Sequence, residues 1–453
     1  MTAMSVLQRL DTFAREQKRH WVGEARRAVK RVRKEGARVL ERRQAALVRV
    51  ATRWGRKIAR ETELRGPKLL KPLKIAGERL RNAPVITRNL TRKGLLYLWS
   101  LRRPVMRWRS RRRRVQEKWS AVRTEISLEQ EIERLTDPGD PIIVGPWLSE
   151  VGYEALYWVP FVRWFRATYR IKADQMLVLS RGGAGAWYGD ITPNRVEVFD
   201  QITPEAFAAY NASKAEGPGG TIKQLDISAF ERDLIERARA DWGVPRAQVL
   251  HPSLMYRLFQ QFWAGNRALS FLDEHTNYSL IAPPGEAEAP LPELPRDYVA
   301  VKFYSAQSLQ DTPETRRILR ELLGALAERH PLVMLDTGLV LDDHGEYDFP
   351  HHDRIISARS FMHPRNNLAV QSRIIANARA FVGTCGSIAW LAPMLGTDTT
   401  AVMTDVRFLN VHLHVARRVY RVLGAGRFTP FDLGALAPLG LTLNSGREPG
   451  GAA

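Results

Sequence analysis

The chain of 453 residues has a single cysteine, Cys385. It can form neither an internal disulfide nor a cysteine-based zinc site, and nothing in it requires an oxidising compartment. It also has no run near the roughly 18 apolar residues of a membrane span. The longest approach, GLLYLWSL from Gly94 to Leu101, is bounded by Arg92, Lys93, Arg102 and Arg103. A secretory leader is not indicated, because Arg9, Asp11, Arg15 and Glu16 interrupt any apolar stretch near the start. Acidic residues are scarce in one region only. Residues 1–125 hold 37 Lys and Arg against 10 Asp and Glu, a net +27, while the remainder holds 32 against 38, a net −6. The formal charge of +21 therefore belongs to the front of the chain and describes that segment's partner.

That front segment is helical in pattern from residue 5 to about 65, with Val22, Ala25, Val29, Val32, Val39, Leu40, Ala46, Leu47 and Val50 at mixed spacings of three and four. Gly66, Pro67 and Pro72 break it, and a further basic stretch carries Tyr97, Trp99, Met106 and Trp108 among arginines. Basic amphipathic chain with interfacial aromatics suits an anionic membrane surface. Nucleic acid is the competing partner, and a solvated basic helix is the third reading. The tryptophans beside Leu95, Leu96 and Leu98 favour lipid. The location expected is cytoplasmic, peripheral on the inner face of the plasma membrane.

Hydrophobic residues make up 44% of the chain, enough for the cores of two or three domains. Beyond TDPGD at residues 136–140 the pattern alternates strand and helix. Pro141 to Gly145 reads as a buried strand, PWLSEVGYE as a loop, Ala155 to Tyr169 as a helix and Gln175 to Ser180 as a second strand. A short strand is expected at Val196 to Phe199, with helices at Ile227 to Ala240 and Met255 to Ala264. Ala282 to Pro295, with five prolines and three acids, reads as a linker. Alternation then resumes with strands at Tyr298 to Phe303, Pro331 to Leu335 and Arg354 to Ser357. Helices are expected at Pro313 to Glu328, capped by Thr312, and at Leu368 to Asn377. The expected divisions are 1–137 basic and helical, 138–290 and 291–443 α/β, and 444–453 a flexible tail.

The second half converges on Arg379 to Asp405. A strand (Ala380 to Val382) meets the small-residue turn Gly383, Thr384, Cys385, Gly386 and Ser387, a helix ends near Gly396, and another strand spans Thr399 to Met403. Glycines at the carboxyl end of a strand, opening a helix, admit a phosphate to backbone N–H groups. Thr384, Gly386 and Ser387 would hold it. Cys385 could instead be a thiolate at a helix start, but GTCGS lacks the spacing of a nucleophile elbow, so a small residue in a tight turn is the preferred reading. Lys302, in the apolar strand VAVKFYS, is placed to face a diphosphate, with Tyr304 and Ser305 adding hydrogen bonds. Arg181, Gly182, Gly183 and Gly185, followed by Trp187 and Tyr188, read as a mobile loop whose rings could stack on an acceptor sugar. His344, His351, His352 and Asp353 match no standard zinc spacing.

Two α/β halves, an acidic loop after the first strand and GTCGS in the second half resemble a GT-B glycosyltransferase, most nearly the heptosyltransferase-like enzymes of bacterial envelopes, over about Pro141 to Phe431. The resemblance implies two Rossmann-like domains facing a cleft and a metal-independent enzyme without cofactor. It also implies a nucleotide-diphosphate sugar as donor and a glycan or lipid-linked acceptor. Counted back from Pro160, Glu154 falls where such enzymes place the acid that removes the acceptor proton, with Glu150 a rival. Arg359 falls near the donor's base. A nucleotide-sugar epimerase or hydrolase on the same architecture, and a nucleic-acid-binding protein acting through its basic arm, remain the alternatives.

Overall fold

The computed structural model describes residues 122–435, apart from 137–138, 217–222, 340–344, 348, 350, 406, 408 and 425. The basic segment up to residue 121, the expected tail from 444 and His344 lie outside the described residues. Among the described residues no helix is long and apolar enough to cross a membrane.

After helix α1 (residues 122–134), strand β1 (Ile142–Val144) opens a four-stranded parallel sheet ordered β3-β2-β1-β4. Its partners are β2 (Met176–Ser180), β3 (Arg195–Glu197) and β4 (Gln248–Leu250). IIV and MLVLS are buried at every position, as strands covered on both faces require. Between β1 and β2 runs helix α2, which covers Val151–Tyr153, widens into a π turn over Glu154–Trp158 and continues through Val159–Tyr169. Helices α3 (Pro204–Glu216) and α4 (Ala229–Asp241) follow β3, and α5 (Pro252–Trp263) and α6 (Ser270–Glu274) follow β4.

The second sheet has six parallel strands in the order β10-β9-β8-β5-β6-β7. They are β5 (Val299–Lys302), β6 (Leu332–Met334), β7 (Ile355–Ser357), β8 (Ala380–Thr384), β9 (Thr399–Met403) and β10 (Phe428–Asp432). Helices α7 (Pro313–Ala327), α8 (Asn367–Asn377), α9 (Ser387–Leu391) and α10 (Asn410–Leu423) complete it. Thr312 caps α7 by accepting from Thr315 N, as its sequence indicates.

Three differences from the sequence reading bear on the site. Helix α2 begins before Ala155, so Glu154 stands inside a helix and not on a loop. β3 ends at Glu197, because that side chain accepts from Phe199 N and turns the chain. β8 runs through Thr384, so the first two residues of GTCGS are strand. One apolar cluster then joins the two sheets, from Ile142 and Phe161 through Phe259 to Ile374, Trp390 and Val415.

Candidate functional site

The carboxyl ends of both sheets border one cleft. On the first-sheet side it is lined by Ser149, Val151, Arg181, Phe207 and Asn211; Lys302, Tyr304, Thr337, Glu346 and Ser387 line the other, with Asn367 and Gln371 of α8 between. Ligands settle at such crevices in parallel sheets.

Lys302, the last residue of β5, reaches this cleft. Its Nζ donates to Leu335 O at 2.7 Å and to Glu346 Oε1 at 3.2 Å, so its charge already has a carboxylate beside it. Burial would push the Glu346 carboxyl up, but Lys302 and the amides of Thr337 and Gly338 outweigh that and hold it below its ordinary value. Tyr304 lines the cleft as well, whereas Ser305 is absent from the lining and donates its N–H to Gly345 O. Arg359 stands further out, its Nε 3.2 Å from Asp336 Oδ2, and Ser357 Oγ donates to the same carboxylate at 2.7 Å.

Of the GTCGS turn, Ser387 alone lines the cleft. Thr384 is not available as a phosphate ligand: its hydroxyl accepts from Tyr304 N at 3.0 Å and donates to Tyr304 O at 2.9 Å, locking β5 to β8. Gly386 precedes α9 with φ +127°. Cys385 is buried and its thiol is pushed up to about 12 by that burial, which disfavours a thiolate.

Arg181 is 6% exposed, yet no carboxylate forms an ion pair with it among the described residues. Its Nη2 donates to Ser149 O at 2.7 Å, its guanidinium lies over Phe207, and its Nε has no partner. The loop after it is fixed, contrary to the mobile loop expected. Glu197 accepts from the amides of Gly182 and Gly183, both at 2.8 Å, while Gly182 O accepts from Leu368 and Ala369 at the start of α8. Trp187 and Tyr188 are buried: Trp187 Nε1 donates to Ser372 Oγ and Tyr188 Oη to Glu154 Oε1, so neither ring faces an acceptor.

The two acids part company here. Glu154 is fully enclosed, takes its one hydrogen bond from Tyr188, and leaves Oε2 unpartnered. Burial pushes its carboxyl up to about 7 against the pull of Arg181 and Tyr188, and it does not reach the cleft. Glu150 is part-exposed at the start of α2, between the cleft-lining Ser149 and Val151.

His351 lies 3.6 Å from Asp353 at the surface, and His352 Nδ1 accepts from Arg354 N. Among the described residues no three His, Cys, Asp or Glu side chains gather as a metal site. Sequence reading missed Ser149, Asn211, Thr337, Glu346, Asn367 and Gln371. Thr337 and Gly338 follow a strand as DTG, a turn signal that could have been used. The others are brought in by long-range packing.

Two parallel α/β sheets that share a cleft at their carboxyl ends constitute the GT-B-like architecture expected from the sequence. No family model and no curated protein sequence matches the chain. Among solved structures it is similar to the Escherichia coli ADP-heptose lps heptosyltransferase II, with 12% identity over 58% of this chain and 84% of that one and a TM-score of 0.33. It is similar to the iron-containing dodecameric glycosyltransferase TibC of enterotoxigenic E. coli, with 8% identity over 58% of each chain and a TM-score of 0.32. A third likeness is to UDP-GlcNAc 2-epimerase from Methanocaldococcus jannaschii, with 8% identity, 68% and 93% covered and a TM-score of 0.29. These are distant likenesses of fold.

Proposed function

We propose that the chain is a glycosyltransferase that moves a sugar from a nucleotide-diphosphate sugar to a cell-envelope or lipid-linked acceptor, working at the cytoplasmic face of the membrane without a metal. The observation that carries the reading is the cleft itself, with Lys302 and Ser387 on one wall and Ser149 and Arg181 on the other. The donor's diphosphate lies against Lys302 and Ser387, and the acceptor enters beside Arg181. An acceptor hydroxyl attacks the anomeric carbon as the bond to the diphosphate oxygen breaks. The electron pair leaves with the diphosphate, whose charge Lys302 offsets, and the hydroxyl proton passes to Glu150. We place the base at Glu150, which is part-exposed between the cleft-lining Ser149 and Val151, whereas Glu154 is fully enclosed.

A thermal-shift screen of the full chain against UDP, GDP, ADP and their sugars tests the donor half. Ligand at roughly 100 times its dissociation constant stabilises by about 2.7 kcal/mol. One nucleotide is expected to give such a shift, and Lys302→Ala to abolish it. A folded protein that responds to none of them is not this enzyme. Turnover of the binding sugar nucleotide without any acceptor would mark a hydrolase or epimerase instead.

A further inference from the structure

Glu346 makes more contacts than an ion pair needs. Its Oε1 accepts from Lys302 Nζ at 3.2 Å, from Thr337 N at 2.9 Å and from Thr337 Oγ1 at 3.0 Å. Its Oε2 accepts from Thr337 N and Gly338 N, both at 3.1 Å, and stands 4.0 Å from Arg359 Nη2. Leu339 N donates to Thr337 Oγ1, which leaves that hydroxyl's own hydrogen for the carboxylate. Two successive main-chain amides, a hydroxyl, an ammonium and a guanidinium thus converge at the carboxyl ends of β5 and β6. The amides come from a turn in which Gly338 has φ +64°, and a Cβ there would press on Arg359 Nε at 3.0 Å. Consecutive amides in such a turn form a concave anion cradle, and the cations add charge-assisted bonds from other directions. The planar carboxylate leaves Arg359 at 4.0 Å; a tetrahedral phosphoryl group, with three oxygens and more charge, could engage it as well.

Glu346 does not belong to either strand that builds the cradle. It reaches in from the segment around residues 345–347, which pairs with the stretch after β5 through Ser305 N to Gly345 O and Tyr347 N to Phe303 O and is anchored by the buried Tyr347. Lys302, Thr337 and Glu346 all line the cleft. We propose that Lys302, Thr337, Gly338 and Arg359 form a phosphoryl-binding site which Glu346 fills in the ligand-free chain, so that a phosphate of the donor enters by displacing it. The inference rests on the donor reading given above and adds the identity of the groups that take the phosphate. Donor affinity is then set by a competition: the cradle is kept organised while empty of ligand, and an anion too weakly charged to evict the carboxylate does not enter.

Isothermal titration of the full chain with inorganic pyrophosphate and with the nucleoside diphosphate found in the screen tests it. Glu346→Gln keeps the shape and removes the competing charge, so pyrophosphate is expected to bind at least ten-fold more tightly than to the wild type. Glu346→Asp, whose shorter arm retreats from the cradle, is expected to fall between the two. Thr337→Val is expected to weaken pyrophosphate several-fold, and thermal melts confirm that each variant is folded. If the nucleoside diphosphate binds the wild type in a Lys302-dependent way but Glu346→Gln and Glu346→Asp bind pyrophosphate equally or more weakly, Glu346 is a strut or a ligand contact and the proposal is overturned, while the donor reading stands. If neither the wild type nor the variants bind any phosphate compound, the donor reading fails and takes the proposal with it.

Discussion

At the scale of the residue, Glu154 tests what burial does to a carboxyl. Its folded value, about 7, lies above the 4.5 of an ordinary glutamate. The native chain therefore holds a proton that the unfolded chain has released. That contribution to stability is complete below about 4.5 and is lost as pH rises through about 7. Glutamine mimics the protonated form, so Glu154→Gln is expected to leave stability near pH 4 almost unchanged and to raise it at pH 8 by about 3 kcal/mol. Urea melts at the two pH values measure this. Turnover separates the two acids: Glu150→Gln is expected to lower kcat by roughly 10²–10⁴-fold, the usual worth of a general base, and Glu154→Gln by no more than a few-fold. The reverse result would return the base to Glu154. The acid-rich loop was legible in the sequence as a place for chemistry. That Glu154 would be enclosed was not, because a π turn and the Tyr188 contact decide it.

The start of α2 packs tightly against the start of α9. A Cβ at Gly152 would lie 2.7 Å from Ser387 N and 2.9 Å from Ser387 Cα, and backbone at that distance cannot give way as a flexible side chain can. Gly152→Ala is expected to cost about 1–3 kcal/mol through overpacking, and to weaken nucleotide binding by shifting Ser387, which lines the cleft. Melting curves and titration of the same sample check both. Ser387 itself has φ +35°, a conformation that disfavours a side chain. Ser387→Gly is therefore expected to gain up to about 1 kcal/mol of stability while losing the hydroxyl's share of ligand affinity, two changes of opposite sign in one variant. Strands such as IIV, MLVLS and VAVK were legible because strands buried on both faces read as continuous apolar runs. Helix α3 escaped notice because only Phe207 and Asn211 of it are buried, and β10 because FTPFD alternates at a sheet edge and contains Pro430.

Over the whole molecule, the two sheets are fastened by groups that no local pattern reveals. His412 of α10 lies between the hydroxyls of Tyr153 and Tyr157 of α2, at 2.8 and 2.7 Å, across more than 250 residues of chain. Burial, aided by Lys223, pushes the imidazole down to about 3. Its contribution is thus present above the ordinary 6.5 and lost as pH falls toward 3. His412→Ala, which strands two buried hydroxyls, is expected to cost about 2–4 kcal/mol at pH 7.5 and to flatten the acid limb of the stability profile. For residues 1–125 we propose, from their net +27, a partner of opposite charge. Each basic side chain near an anionic lipid surface contributes about 1 kcal/mol, and the aromatic and leucine side chains around Trp99 add an apolar share that salt does not screen. The full chain is therefore expected to sediment with vesicles containing phosphatidylserine and not with neutral ones, and to keep part of that binding in 1 M salt. A nucleic-acid arm would behave differently: its affinity for duplex RNA would fall linearly in log–log with salt, without a residual plateau. Vesicle binding that vanishes entirely at high salt, beside tight RNA binding at low salt, would place the arm on nucleic acid and remove the membrane from the proposed reaction.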